Sequence, residues 1–246
     1  MGPREFYDSL PSTQDRALEL ARDGAPEGTR VVARRQDRGR GRLDRSWVSP
    51  EGGLYFSVVL SAPEQHAGLL PLTIGARLAF ALREEYAIPL ALKWPNDLLA
   101  GEFGRPMRKL GGILTDEVAS PTLGRAVVTG VGINVGLDRG SLPPPLREHV
   151  AALAEFVPTT PDLEDVEALV LDSAVGAAEW LRSPGGTQQA RELCRTMLYG
   201  VGRTVTVDGK EGGTIEGLGD DGELWLSTAT ERVAIWAGDV RLEEGP

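Results

Sequence analysis

The chain has 246 residues, 41% of them hydrophobic, a formal net charge of −10 and a single cysteine, Cys194. That length holds one large domain or a medium domain with a small one, and the apolar fraction is enough for a real core. The acidic balance argues against broad nucleic-acid binding, one cysteine excludes an internal disulfide, and no stretch approaches the roughly 18 apolar residues of a membrane span. The opening MGPREFYDSLPSTQ carries acids and prolines and no apolar run, so it does not read as a secretory signal. A reducing compartment fits this cysteine usage, and the cytoplasm is the expected location.

In chain order, PSTQDRALELARDG predicts a helix: Ser12 or Thr13 caps it, Ala17, Leu18, Leu20 and Ala21 form its apolar face, and Gly24 ends it. TRVVARR predicts a short strand leading into a loop. Seven arginines fall between residues 30 and 45, diluted only by Asp37 and Asp44. GLYFSVVLS predicts a second strand, and AGLLPLTIGARLAFALREEYA a helix that is apolar nearly all round and therefore buried. LALKW predicts a strand stopped by Pro95, with Asn96 and Asp97 in a turn. GEFGRPMR reads as an exposed hairpin tip. KLGGILTDEV and RAVVTGVGINVGL predict two strands whose embedded glycines mark a close approach of ligand or backbone. A break over 140–146 precedes helices over 162–182 and 187–198. Beyond residue 200, short strands alternate with Gly/Asp turns at the spacing of a small antiparallel barrel. The expected organisation is a main domain over 1–198 and a small barrel over 199–246.

Glycines in GRGRLDRSW let backbone N–H groups approach an anion, and Arg40 and Arg42 can present bidentate forks to phosphate or carboxylate. Trp47 can pack on an adenine or brace the closed loop. A solvated flexible loop and an RNA-binding arginine-glycine segment are the competing readings. The chain lacks a Walker motif, and GVGINVG has the wrong spacing for a dinucleotide fingerprint. His66, His149 and Cys194 stand in surroundings that suggest no catalysis, and no spacing resembles a zinc site. Only three lysines occur, Lys93, Lys109 and Lys210. Lys93, Asn96, Asp97 and Lys109 lie at strand ends and turns around glycine-rich backbone. Such a set suits joining a carboxylate to the α-phosphate of ATP, a reaction that needs charge neutralisation and positioning and no covalent enzyme intermediate.

Together the motifs resemble the biotin protein ligases, the biotin–[acetyl-CoA-carboxylase] ligases. The likeness keeps its order along nearly the whole chain: STQ at 12–14, Gln36, GRGRLDRSWVSP at 39–50, KWPNDLL at 93–99, KLGGIL at 109–114 and GVGINV at 130–135. The resemblance implies an α+β fold, a mixed β-sheet with helices packed on it, like class II aminoacyl-tRNA synthetases, plus a carboxyl-terminal Src-homology-3-like barrel. It implies that biotin and ATP give biotinyl-5′-AMP, from which biotin passes to a lysine of a biotin carboxyl carrier protein. By the same carry-over, Ser12, Thr13, Gln36, Gly39, Arg40, Lys109 and Gly112 bind biotin. Arg42, Trp47, Asn96 and Asn134 bind ATP, and Lys109, Arg40, Arg42 and Asp97 are catalytic. Asp97 also serves Mg²⁺ or the incoming lysine.

Two departures stand out. The family usually has a glycine-like residue where Asp44 stands, and the acid that follows GGIL is here either Asp116 or Glu117. Family members that repress transcription carry an added N-terminal DNA-binding domain. This chain starts almost at the first catalytic helix, so no DNA partner is expected, and a homodimer stays open. A lipoate or octanoate ligase or transferase of the same fold is the alternative enzyme, and an RNA-binding module the alternative non-enzyme.

Overall fold

A computed structural model describes residues 2–101 and 106–243. Strands β1 (Arg4–Tyr7), β2 (Arg30–Ala33), β3 (Gly53–Ser61), β4 (Leu90–Lys93), β5 (Asp97–Ala100), β6 (Arg108–Ser120) and β7 (Gly124–Asn134) form one sheet in the order β1-β2-β3-β7-β6-β5-β4. β1 and β2 are parallel and every other neighbouring pair is antiparallel, so the sheet is mixed. Helix α1 (Thr13–Arg22) makes the crossover between the parallel pair and lies on one face. α2 (Leu69–Tyr86) lies on the other face, and after the four-residue α3 (Pro144–Arg147) come α4 (Leu163–Arg182) and α5 (Gly186–Met197), packed on α2.

Strand β3 shows why its sequence is continuously apolar: both its faces are covered. Leu54, Phe56, Val58 and Leu60 enter the core beneath α2, and Val59 packs with Ala17, Leu18 and Ala21 of α1. β7 divides in the same way. Val127, Val131 and Ile133 face α2, whereas Ala126 and Val128 lie under α1. Further along the α1 face β7 carries only Gly130 and Gly132, and opposite Gly130 stands Ser57. The α1 face is therefore apolar along part of its length and stripped to glycine and serine along the rest.

β8 (Thr204–Val207), β9 (Lys210–Leu218), β10 (Leu224–Ser227), β11 (Arg232–Ile235) and β12 (Val240–Leu242) form a five-stranded antiparallel sheet in the order β11-β10-β9-β8-β12. The sequence analysis anticipates a barrel here. Among the described residues the two outer strands, β11 and β12, are not paired with each other. Val205, Ile215, Leu218, Leu224, Leu226 and Val240 join the core beneath α2 rather than forming a core of their own. The β9–β10 turn is gripped by the larger sheet's surroundings. Trp94 Nε1 donates to Gly222 O at 2.9 Å, Arg191 and Arg195 hold Asp220, and His66 contacts Asp221.

Several expectations need adjustment. Asp97 does not lie in a turn: the turn is Trp94–Asn96, and Asp97 opens β5, paired with Lys93. β1 was not anticipated. The 140–146 break contains α3. Of the hairpin tip GEFGRPMR, residues 102–105 lie outside the described residues. The helix beginning at Thr13 is capped by Ser12, whose side chain accepts from Asp15 N. Among the described residues no helix is long and apolar enough to cross a membrane.

Leu224→Ala, at a fully buried position of the small sheet, should cost about 2–5 kcal/mol. Because the core is shared, urea unfolding followed by circular dichroism and by tryptophan fluorescence should shift as one transition. Burial pushes the Cys194 thiol up to about 12 from 9.0. The native chain should therefore resist a disulfide thiol reagent at pH 8 and react fully once unfolded. The stability this thiol contributes is present below pH 9 and lost as pH rises toward 12, where only the unfolded chain ionises readily.

Candidate functional site

The stripped part of the sheet face is the floor of a cavity of about 170 Å³. Gly112, Gly130 and Gly132 contribute no side chains there. A Cβ on Gly130 would stand 2.6 Å from Gln14 Oε1, and one on Gly132 would stand 2.8 Å from the Trp47 indole. At one end the start of α1 supplies Ser12, Thr13 and Gln14, joined by Ser57 and Gln36. These form a tight polar cluster: Thr13 N and Oγ1 donate to Gln36 Oε1 at 2.8 and 3.1 Å, and Ser57 Oγ donates to Thr13 Oγ1 at 2.9 Å.

The arginine-rich loop roofs the cavity as a small hairpin. Trp47 N donates to Gly39 O at 2.8 Å, Gly41 N to Arg45 O at 2.7 Å and Arg45 N to Arg42 O at 3.1 Å. The hairpin turns through Leu43 and Asp44, at φ 54° and 57°. Two consecutive left-handed residues are the backbone of a two-residue hairpin turn that favours Asn and Gly. Asp44 is thus a residue with a Cβ at a position where glycine would sit without strain. Trp47 drops from the hairpin onto Gly112 and Gly132, and its buried Nε1 meets no protein acceptor.

At the other end stand the charges. Lys109 Nζ lies 2.6 Å from Asp97 Oδ1 and 5.0 Å from the Trp47 ring centroid. A β-bulge makes this possible. Pairing slips between Leu98–Gly111 and Leu99–Lys109, so Leu110 is the extra residue. Leu110 enters the core beneath α2, and Lys109 and Gly112, three apart, both face Asp97. Asn96 is pinned beside them by Nδ2 donating to Ile113 O at 2.7 Å. Arg42 Nη1 reaches Asn96 Oδ1 at 3.4 Å. Burial lowers the Arg42 pKa and the charge of Asp97 partly restores it, so Arg42 is a partly desolvated cation. Lys93 and, from the small sheet, Asp239 complete this end. Burial pushes Asp239 up, but its hydrogen bond with Arg241 and the charges of Arg241, Arg45 and Lys93 bring it below the usual carboxylate range.

The family model for the biotin/lipoate A/B protein ligases matches residues 6–134, more than half of the chain and all but the first two residues of the sheet that carries this cavity. The chain belongs to this family. It is 32% identical over 244 residues to the bifunctional ligase/repressor BirA of Bacillus subtilis, covering 96% of this chain and 73% of that protein. It is 31% identical over 242 residues to the biotin–[acetyl-CoA-carboxylase] ligase of Paracoccus denitrificans, covering 93% of this chain and 96% of that one. The solved structure of the biotin protein ligase from Aquifex aeolicus in complex with biotin and ATP matches with a TM-score of 0.82 at 28% identity, over 100% of both chains.

Of the residues singled out in the sequence of this family member, Ser12, Thr13, Gln36, Arg40, Arg42, Trp47, Asn96, Asp97, Lys109 and Gly112 all line the one cavity. Two do not. Gly39 stands behind the hairpin, where a Cβ would meet Trp47 O at 2.4 Å. Asn134 is buried, and its amide donates to Ala151 O at 3.0 Å and Lys109 O at 3.5 Å. The structure thus puts Asn134 in support of Lys109 rather than on the cavity wall. Arg40, expected to act beside Arg42, turns its guanidinium to Asp15 and Asp116 instead. Of the two acids after GGIL, Asp116 does not line the cavity but meets Gln14 and Arg40, which do, whereas Glu117 pairs with Arg125 at 2.7 and 2.9 Å. Ser57 and Asp239 were missed, and Gln14, Gly130 and Gly132 were quoted in the motifs STQ and GVGINV but not assigned as site residues. A polar Ser57 inside an apolar strand was the available signal for one of them.

Asp44→Gly removes a Cβ from a left-handed position, a gain of about 0.5–1 kcal/mol for the hairpin. Tryptic cleavage within the loop should slow by roughly two- to fivefold, read by mass spectrometry of timed digests.

Proposed function

We propose that this family member is an ATP-dependent biotin–protein ligase, forming biotinyl-5′-AMP and passing biotin to a lysine of a biotin carboxyl carrier protein of acetyl-CoA carboxylase or a related carboxylase. One observation carries the reading: a single narrow cavity has a neutral hydrogen-bonding end, built from Thr13, Gln36 and Ser57, and a cationic end, built from Arg42, Lys93 and Lys109. The first suits the ureido ring of biotin, and Trp47 over the glycine floor suits its apolar body. The second suits a carboxylate meeting a phosphate.

In the first step a biotin carboxylate oxygen bonds to the α-phosphorus of ATP, and pyrophosphate leaves with the bond pair. Lys109 bridges the two anions, and Arg42 neutralises charge that develops on the α-phosphate. Asn96 contacts the nucleotide. In the second step the neutral amine of the acceptor lysine bonds to the acyl carbon and AMP leaves, with Asp97 placed to take the released proton. The hairpin keeps water from the mixed anhydride between the two steps. Among the described residues no three acidic, His or Cys side chains cluster as a metal cage. Asp97 would be the carboxylate to hold a magnesium ion carried in by the triphosphate, and that ion would add to the charge neutralisation at the α-phosphate. Biotin, ATP and the carrier all suit a cytoplasmic location.

The purified chain should catalyse ATP–pyrophosphate exchange only with biotin present. Lys109→Ala should lower that exchange by about 10²–10³-fold, the scale for one preorganised electrostatic group. Exchange supported by lipoate or octanoate as well as by biotin, or exchange without any acid, would remove the proposal.

A further inference from the structure

The arginines of the hairpin divide their work. Arg42 turns into the cavity. Arg40 also lines the cavity, but its guanidinium ends on carboxylates, with Nη1 2.9 Å from Asp15 Oδ1 and 3.3 Å from Asp116 Oδ2. Asp116 Oδ2 also accepts from Gln14 Nε2 at 3.1 Å. Gln14 is buried, its Nε2 also donating to Val128 O at 3.0 Å, and its Oε1 lies 3.1 Å from Ser57 Oγ. The single hydroxyl proton of Ser57 serves Gln14 Oε1 and Thr13 Oγ1 in turn. From Thr13 the path runs to Gln36, whose Nε2 donates to Ser49 Oγ at 2.9 Å, and Ser49 Oγ donates to Trp47 O at 2.9 Å. The chain of contacts leaves the hairpin at Arg40, passes through the residues lining the neutral end of the cavity, and re-enters the hairpin at Trp47.

We propose that Asp116 and Gln14 are positioning residues for the ligase reaction. They clamp Arg40, and through it the base of the hairpin, to the same hydrogen-bonded cluster that meets the acyl substrate. This rests on the reading above that biotin is that substrate. The chemistry favours a clamp over an incidental ion pair. Asp15 is the more exposed carboxylate, whereas Asp116 takes both the guanidinium and a buried amide. Neutralising Asp116 leaves Arg40 with a solvated partner and removes the charge that ties the guanidinium to the Gln14 amide. The donors to the ligand then lose their fixed directions. A ligand that engages Thr13 and Gln36 locks the cluster, and the clamp passes that order to the hairpin.

The test compares Asp116→Asn, Asp15→Asn and Asp116→Glu with wild type in two assays: biotin-dependent exchange kinetics, and tryptic cleavage after the hairpin arginines without ligand. Asp116→Asn should raise the KM for biotin about three- to tenfold with kcat within about twofold, and speed hairpin cleavage about threefold or more. Asp15→Asn should stay within about twofold in both assays, and Asp116→Glu should keep both near wild type. An Asp116→Asn enzyme no different from Asp15→Asn overturns the clamp. So does one whose kcat and melting temperature fall while KM and hairpin cleavage stay put. If the wild type shows no biotin-dependent exchange, the function reading fails, and ligand-free cleavage alone still judges the clamp.

Discussion

Lys109 and Asp97 stand 2.6 Å apart at the mouth of a cleft, and the arrangement around them depends on what puts them there. Strand alternation alone would send Lys109 and Gly112 to opposite faces. The bulge at Leu110 brings both under the hairpin while Leu110 itself fills the core. The main chain of Lys109 is then fixed from the far side. Its N donates to His149 O at 2.8 Å and its O accepts from Ala151 N at 2.9 Å. Buried Asn134 donates its amide to that Lys109 carbonyl at 3.5 Å and to Ala151 O at 3.0 Å. A part-exposed ion pair contributes little to stability. Its value here is direction: the ammonium is held at a set place while its other two donors stay available.

The site is also a local exception to the charge of the molecule. With a formal net charge of −10, the chain has a surplus of carboxylates to pair with its cations. Outward-facing arginines are so paired: Arg125 with Glu117, Arg16 with Glu5, Arg182 with Glu27. In the cavity the balance reverses, because Asp97 faces Arg42, Lys93 and Lys109 together. Water is partly excluded there, so the field of these groups is screened less than that of the acidic surface. Local geometry therefore decides what the cleft attracts.

Legibility in the sequence followed the range of the interaction. α1 and α2 were plain because caps and apolar faces are local features, and the two long strands β6 and β7 were plain by their composition. β5 was missed because four residues, DLLA, follow a proline and an asparagine that read as a turn. β1 was missed because four half-exposed residues carry no alternation strong enough to notice. The site residues that were found sit in contiguous motifs, GRGRLDRSW, KWPND and KLGGIL. Those that were missed depend on register. Ser57 matters because it stands opposite Gly130 and beneath α1. The contact of Arg40 with Asp116 was not legible because the two are 76 residues apart along the chain. Asp239 reaches the cavity only because the small sheet docks where it does.

That docking links the two sheets to one piece of chemistry. Trp94 and Asn96 lie in the same turn. One holds Gly222 of the small sheet, and the other is tied to Ile113 of the large one. The small sheet returns a carboxylate, Asp239, toward Arg45 of the hairpin at 3.5 Å. With no separate core to make it an independent unit, the small sheet keeps its place through the shared apolar cluster and through this turn. In the proposed reaction the hairpin opens for substrate and closes over the mixed anhydride, which needs fixed ground on both sides. The glycine floor with its polar cluster supplies one side, and the docked small sheet supplies the other. The shared core is what joins the second side to the first.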